Sequence, residues 1–309
     1  MIIEKLGIQF HLIVKYSKVI RKYRKDFIFY LLVIVSVIRV FIGIPLSLYN
    51  QVFLNIRKKR KRIFHPIIHL YAITWNEEKI LPFVLDYYNR FVDKIILYDN
   101  QSTDKTREIA SGYSKVQIIE FNTNNTFDDI THTKIKNECW KHSRGKADYV
   151  IVCDIDELLY CENIHGYFKC AIKSGYTFFT TKGYNMYSDA FPNYDSKKLI
   201  TEIVNKGIFN QKYSKSIVFN PNYIFEVNFS PGSHICYPWG IVTSPQSITF
   251  MLLHFKNLGL EYVLNKQLAY SCRFSEENIN NNFGVEYMND NEFVVSEFQK
   301  SFPLATKVI

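Results

Sequence analysis

Between residues 67 and 153, short apolar runs alternate with segments whose apolar residues recur every three or four positions. The runs Ile67 to Thr74, Lys94 to Tyr98, Val116 to Phe121 and Tyr149 to Cys153 are five to eight residues long and rich in β-branched and aromatic side chains, which predicts four strands. Between them, Ile80, Leu81, Val84, Leu85 and Tyr88 share one helical face. A short helix is expected to run through Ala110, and Ile130 to His142 reads as a third. Strands alternating with helices predict βαβ units and an α/β fold with a mostly parallel central sheet flanked by helices. In such sheets ligands bind beyond the carboxyl ends of the strands. Three of these ends are polar: Asn76-Glu77, Asp99 to Asp104, and Asp154 to Glu157. A single polar end would be a loop, whereas three point to a shared crevice.

Beyond residue 175 the pattern loosens into short aromatic-rich runs separated by Asn, Pro and Gly turns, with one more apolar run at Ile248 to Phe255. Residues 271–309, rich in Asn and Glu, read as a polar C-terminal tail, either a polar helix or a partly ordered stretch.

The start of the chain follows another pattern. Residues 27–49 are predominantly apolar with Arg39 their only charge, and about 20 apolar residues suffice to cross a bilayer. Arg39 near the middle costs about 2.5–3.5 kcal/mol on insertion scales, so a spanning helix and a helix lying in one leaflet both remain open. Basic clusters flank this stretch at residues 21–25 and 57–62.

Charge sharpens the division. The whole chain carries +9, but the first 62 residues hold fourteen Lys and Arg against only Glu4 and Asp26, a balance of +12, which leaves −3 for the rest. A basic anchor region (residues 1–62) tied to a mildly acidic domain suits an anionic membrane surface. It does not suit nucleic acid, which needs its positive surface on the folded domain. Six cysteines without a CxxC pair exclude a disulfide framework and a zinc cluster. N-x-S/T sequons stand at Asn100, Asn124 and Asn228. The first lies at a polar strand end, which favours a domain on the cytoplasmic face.

Asp154-Ile155-Asp156 follows an apolar strand, so period-two alternation puts both carboxylates on one side. Two acids so close repel unless a cation stands between them, and oxygen ligands of this kind suit Mg²⁺ or Mn²⁺.

The ordered set Ile73-Thr74-Trp75-Asn76-Glu77, Asp99-Asn100-Gln101-Ser102-Thr103-Asp104, Asp154-Ile155-Asp156-Glu157 and Leu253-His254-Phe255-Lys256 resembles the family 2-type glycosyltransferases of the GT-A fold, in the branch that carries D-x-D-E. The match covers residues 67 to about 260. It implies a glycosyltransferase domain over residues 63–270, with a nucleotide-binding half at 67–160 and an acceptor half at 161–270. It further implies a metal-dependent, inverting, membrane-associated enzyme moving sugar from a nucleoside diphosphate sugar, a UDP-sugar foremost, to a glycan or lipid-linked hydroxyl. On that resemblance Asn76, Glu77, Asp99, Asn100, Ser102, Asp104, Asp154 and Lys256 bind the nucleotide-sugar, and Asp154, Asp156 and His254 hold Mn²⁺ or Mg²⁺.

The base that deprotonates the acceptor has no clear motif. Glu157, Asp189 and Glu226 are candidates, with Asp195 and Glu202 behind them. His234, in a loop, could touch acceptor or phosphate, or have no role. Aromatic residues from Tyr176 to Tyr194 and from Tyr213 to Tyr237 offer faces for an acceptor sugar, or serve as ordinary core. Two rival readings are a sugar nucleotidyltransferase, disfavoured because Thr74 to Glu77 contains no glycine, and an inactive carbohydrate-binding scaffold.

Overall fold

The structure, a computed structural model, describes residues 65–281 and 283–309. The stretches expected at the membrane, 27–49 and 57–62, lie outside them. Among the described residues no helix is long and apolar enough to cross a membrane.

The four expected strands form within a residue or two of their predicted bounds as β1 (Ile68–Thr74), β2 (Lys94–Asp99), β3 (Val116–Glu120) and β4 (Tyr149–Asp154). They pair in parallel in the order β3-β2-β1-β4. Strand β1 is buried on both faces. Its even positions Ile68, Leu70 and Ala72 pack with Leu81, Val84, Leu85 and Tyr88 of helix α1 (Leu81–Asn89), while Tyr71 faces Trp140 across the sheet. Pleated alternation thus gives the sheet two cores. Helix α2 (Thr106–Ser111) connects β2 to β3, and α3 (Asp129–Glu138) precedes β4. The Asp128 side chain caps α3 by accepting from the amides of Ile130 and Thr131. The helix expected to reach His142 tightens after Glu138 into a 3₁₀ turn, which carries the fully buried Trp140 against Phe219.

Because β2 lies on one side of β1 and β4 on the other, the winding reverses beside β1. A crevice therefore opens between the carboxyl ends of β1 and β4.

The rest of the chain builds a second layer whose pairings the sequence pattern did not reveal. After Asp154 the chain turns through Ile155 and Asp156 into β5 (Glu157–Tyr160), which leaves the first sheet and joins another. Helix α4 (Ile164–Ser174) packs Phe168 and Ala171 into the main core. There follow β6 (Phe178–Phe179), β7 (Lys182–Ser188), the one-turn α5 (Ile200–Ile203), β8 (Lys206–Phe209), β9 (Val218–Phe219), the hairpin of β10 (Ile224–Glu226) with β11 (Trp239–Gly240), and β12 (Met251–Leu258). Strand β9 extends the first sheet antiparallel to β4, β6 pairs antiparallel with β9 at its edge, and the second sheet runs β13-β8-β7-β12-β5, where β13 is Thr306–Lys307.

Residues 271–309 form short helices and a final strand. Helix α6 (Leu260–Ser271) is followed by α7 (Glu276–Asn281) and α8 (Asn291–Ser301), and β13 closes the edge of the second sheet against β8. Their polar composition reflects short helices with one contacting face, and Phe298 and Phe302 stack at 5.7 Å beside Tyr187.

Candidate active site

The two sheets meet at the turn that carries both aspartates. Strand β12 pairs antiparallel with β5 so that His254 stands opposite Glu157, and the amide of Phe255 donates to the carbonyl of Asp156 at 2.8 Å. This register brings His254 Nε2 to 3.5 Å from Asp156 Oδ2. The turn forms the floor of a cavity of about 330 Å³. The ends of β1 and β4, the start of α3, the Tyr213 to His234 region and the segment from Tyr270 to Tyr287 wall it.

Three lysines organise the floor, Lys136 and Lys215 buried and Lys266 partly so. Lys136, on α3, donates to Asp154 Oδ1 at 2.6 Å. Lys215, 2% exposed, lies 3.3 Å from Asp154 Oδ2 and 2.5 Å from Glu157 Oε1. Lys266, on α6, lies 2.8 Å from Asp156 Oδ2 and 2.9 Å from Glu77 Oε1, and so ties the end of β1 to the end of β4. Burial alone would raise the Asp154 carboxyl, but the ammoniums of Lys136 and Lys215 outweigh it and hold the group well below the usual carboxylate range. Asp156 is held low in the same way by Lys266 and His254 against its burial. For Glu77, burial wins over Lys266, and with Asp156 nearby its pKa is pushed up to about 7.

The opposite wall is aromatic. The Arg273 guanidinium lies 3.4 Å from the centre of the Trp75 ring, Tyr270 meets Trp75 edge-on, and Tyr270 stacks on Tyr287 at 4.7 Å. Burial lowers the Arg273 pKa to about 10, which leaves it charged at neutral pH.

The expected site residues divide into two groups. Glu77, Asn100, Asp154, Asp156, Glu157, His234 and His254 line the cavity. Asn76, Asp99, Ser102 and Asp104 instead lock the β1 and β2 loops together behind it. Asn76, at φ 51°, accepts from the amide of Thr103 through Oδ1 at 2.7 Å, and its own amide donates to Ser102 Oγ at 2.9 Å. Asp104 Oδ2 accepts from the amide of Glu78. Asp99 is 1% exposed, with Arg107 Nε at 2.6 Å from Oδ2 and Ser102 Oγ at 2.5 Å from Oδ1, so its oxygens are taken up inside the loop. The Lys256 ammonium sits 4.4 Å from the centre of the Tyr287 ring, outside the cavity wall.

Among the candidate bases other than Glu157, none reaches the cavity. Asp189 and Asp195 accept from the amides of Ala190 and Lys197 in their own loops. Glu202 accepts from the amide of Leu199, and Glu226 pairs with Lys141 at 2.9 Å. Of the rings in the aromatic segments, Phe178, Phe179, Phe219 and Phe229 are buried core, and Tyr213 reaches the cavity.

Lys136, Lys215, Lys266, Tyr270, Arg273 and Tyr287 escaped the sequence reading. Only for Lys136 was there a signal, a lysine on a predicted helix leading to the aspartate strand. The others arrive from distant stretches by folding alone.

Asp156 and His254 supply a carboxylate oxygen and an imidazole nitrogen, a donor set that Mn²⁺ accepts and that substrate phosphates commonly complete. Asp154 does not join them, since each of its oxygens faces a lysine. Among the described residues no three His, Cys, Asp or Glu side chains are grouped closely enough to hold an ion. The fit is therefore to an ion shared between two protein ligands and a phosphate-bearing substrate.

Comparison with known proteins agrees with the resemblance at the level of the domain. Residues 71–223 match the profile of Glycosyl transferase family 2. No curated protein matches the chain. Among solved structures, residues 1–349 of TarS from S. aureus align at 14% identity over 77% of this chain and 74% of that one, with a TM-score of 0.39. Glucosyl-3-phosphoglycerate synthase from Mycobacterium tuberculosis, solved with Mn²⁺, UDP and glucosyl-3-phosphoglycerate, aligns at 20% identity over 39% of this chain and 44% of that one, with a TM-score of 0.24. Such low scores carry no weight for substrate or mechanism. The profile match supports a likeness, over residues 71–223, to the glycosyl transferase family 2 domain.

Proposed function

We propose that the protein moves a glycosyl group from a nucleoside diphosphate sugar, a UDP-sugar, to a hydroxyl of a glycan or lipid-linked acceptor, with Mn²⁺ or Mg²⁺ bound between Asp156, His254 and the diphosphate. The observation that carries this reading is the pairing of Asp156 and His254 at the floor of one cavity, where Lys136, Lys215 and Lys266 hold the carboxylates. When bound, the ion supplies positive charge against the departing diphosphate. Lys136, Lys215 and Lys266 fix the carboxylates in place and add preorganised positive charge where the leaving group gains negative charge. The Trp75, Tyr270 and Tyr287 rings offer the flat apolar surface on which a nucleobase stacks. The basic and apolar first 62 residues would hold the domain at the cytoplasmic face of a membrane, near a lipid-linked acceptor.

The test is the melting temperature of the full chain with UDP-sugars, with and without Mn²⁺. A rise that requires both ligands and disappears in Asp156→Ala is expected. The absence of any rise with every UDP-sugar tried, Mn²⁺ present, would sink the reading.

A further inference from the structure

The cavity holds many carboxylates but none that is positioned as an available base. Asp154, Asp156, Glu157 and Glu77 are each bound to a lysine, and Asp129 accepts from the Asn278 side-chain amide at 3.3 Å. His234 differs. It is half-buried in the cavity wall, and its Nδ1 lies 2.8 Å from the carbonyl oxygen of Lys212. A carbonyl only accepts, so Nδ1 carries the proton and Nε2 keeps its lone pair. The turn is built around this ring. Gly232 has φ +70°, and a Cβ there would stand 2.8 Å from His234 Cδ2 and 2.9 Å from Nε2. Glycine therefore both permits the turn and keeps the space at Nε2 clear. The Tyr213 ring touches both histidines, His254 at 4.3 Å and His234 at 5.4 Å between centroids, and so sets His234 beside the Asp156 and His254 pair but apart from it.

Resting on the glycosyl transfer reading, we propose that His234 is the catalytic base, its Nε2 taking the proton of the acceptor hydroxyl. As Nε2 accepts that proton, the hydroxyl oxygen forms a bond to the anomeric carbon. The bond from that carbon to the β-phosphate oxygen breaks, and the nucleoside diphosphate leaves with the electron pair. The imidazolium then returns its proton to solvent. One displacement of this kind inverts the anomeric centre. Burial, then the charge of Lys215, lowers the His234 pKa to about 4. The hydrogen bond to the Lys212 carbonyl opposes them, the Lys212 ammonium acts with them, Asp154 opposes them, and Tyr213 contributes its ring. The ring thus has the basicity of a carboxylate while adding no negative charge beside a dianionic donor.

The experiment measures UDP release from an equal mixture of UDP-glucose, UDP-galactose and UDP-N-acetylglucosamine by the full chain with Mn²⁺, water serving as acceptor, together with calorimetric binding of UDP and Mn²⁺. His234→Gln and His234→Ala are expected to melt and bind UDP as the wild type does, yet to release UDP about 100-fold or more slowly. Added imidazole should restore part of the rate in His234→Ala. The wild-type rate should fall as pH drops through about 4, and His234→Gln should lose this acid limb. Release by His234→Gln within threefold of wild type overturns the proposal, and so does a loss of UDP binding equal to the loss of rate. A wild-type chain that neither binds nor releases UDP overturns the glycosyl transfer reading instead, and the base with it.

Discussion

Glu77 is the group whose protonation the cavity controls most directly. Its pKa rises from 4.5 to about 7 because burial, with Asp156 and Asp104 close by, outweighs the single ammonium of Lys266. The native state therefore binds this proton more tightly than the unfolded chain, and stability must fall as pH rises between the two values. Compared with Glu77→Gln, which cannot ionise, the wild type should lose stability from about pH 4.5 to about pH 7 and then level off, as read from denaturant midpoints across that range. A flat difference would place Glu77 ionised throughout. Asp154 and Asp156 behave oppositely: their lysine partners hold them ionised far into acid, so their contribution is present above the ordinary carboxylate value and vanishes only well below it. At this scale the sequence reading found the acids but not their partners. Asp154 and Asp156 announce themselves by spacing, whereas Lys215 and Lys266 stand 61 and 110 residues from the aspartates they meet, and no local pattern links them.

Among the elements, the turn from β4 to β5 matters most, because it passes the chain from one sheet to the other and points both aspartates into the gap. Its geometry depends on β7 and β12 behind it. Gly183, in β7 opposite Leu252, packs so closely that a Cβ would enter the carbonyl of Tyr213 and stand 2.6 Å from the amide of Ser214. Gly183→Ala should therefore push away the segment that carries Tyr213 and Lys215. The expected cost is about 1–3 kcal/mol of stability, accompanied by weaker binding of UDP and Mn²⁺, measured by thermal unfolding and calorimetry. A variant with wild-type values in both would show that the segment does not need this close approach. The strands of the first sheet were legible because each is a buried run closed by polar residues. The second sheet was not, because β7, β8 and β12 mix polar and apolar residues and draw stability from partners far along the chain.

For the whole molecule, charge and apolarity are segregated along the chain. Residues 1–62 carry +12 and the remainder −3. The full chain should therefore float with vesicles containing anionic lipid, and a chain lacking residues 1–62 should stay behind. Salt should weaken the binding in proportion to its electrostatic share, because exposed charges are screened within about 8 Å at physiological ionic strength. Flotation of the shortened chain with the same vesicles would move the lipid contact to the domain. The parallel strands, their polar ends, the D-x-D turn and this division of charge are each written in neighbouring residues through periodicity and local composition. Which polar residues face the cavity follows from long-range packing. It turned Asp99, Asn76, Ser102 and Asp104 into a lock between loops, paired each floor carboxylate with a lysine, drew Tyr270, Arg273 and Tyr287 over the crevice, and left His234 with a lone pair. Those outcomes depend on distances between residues far apart in the chain, which packing sets and local pattern does not.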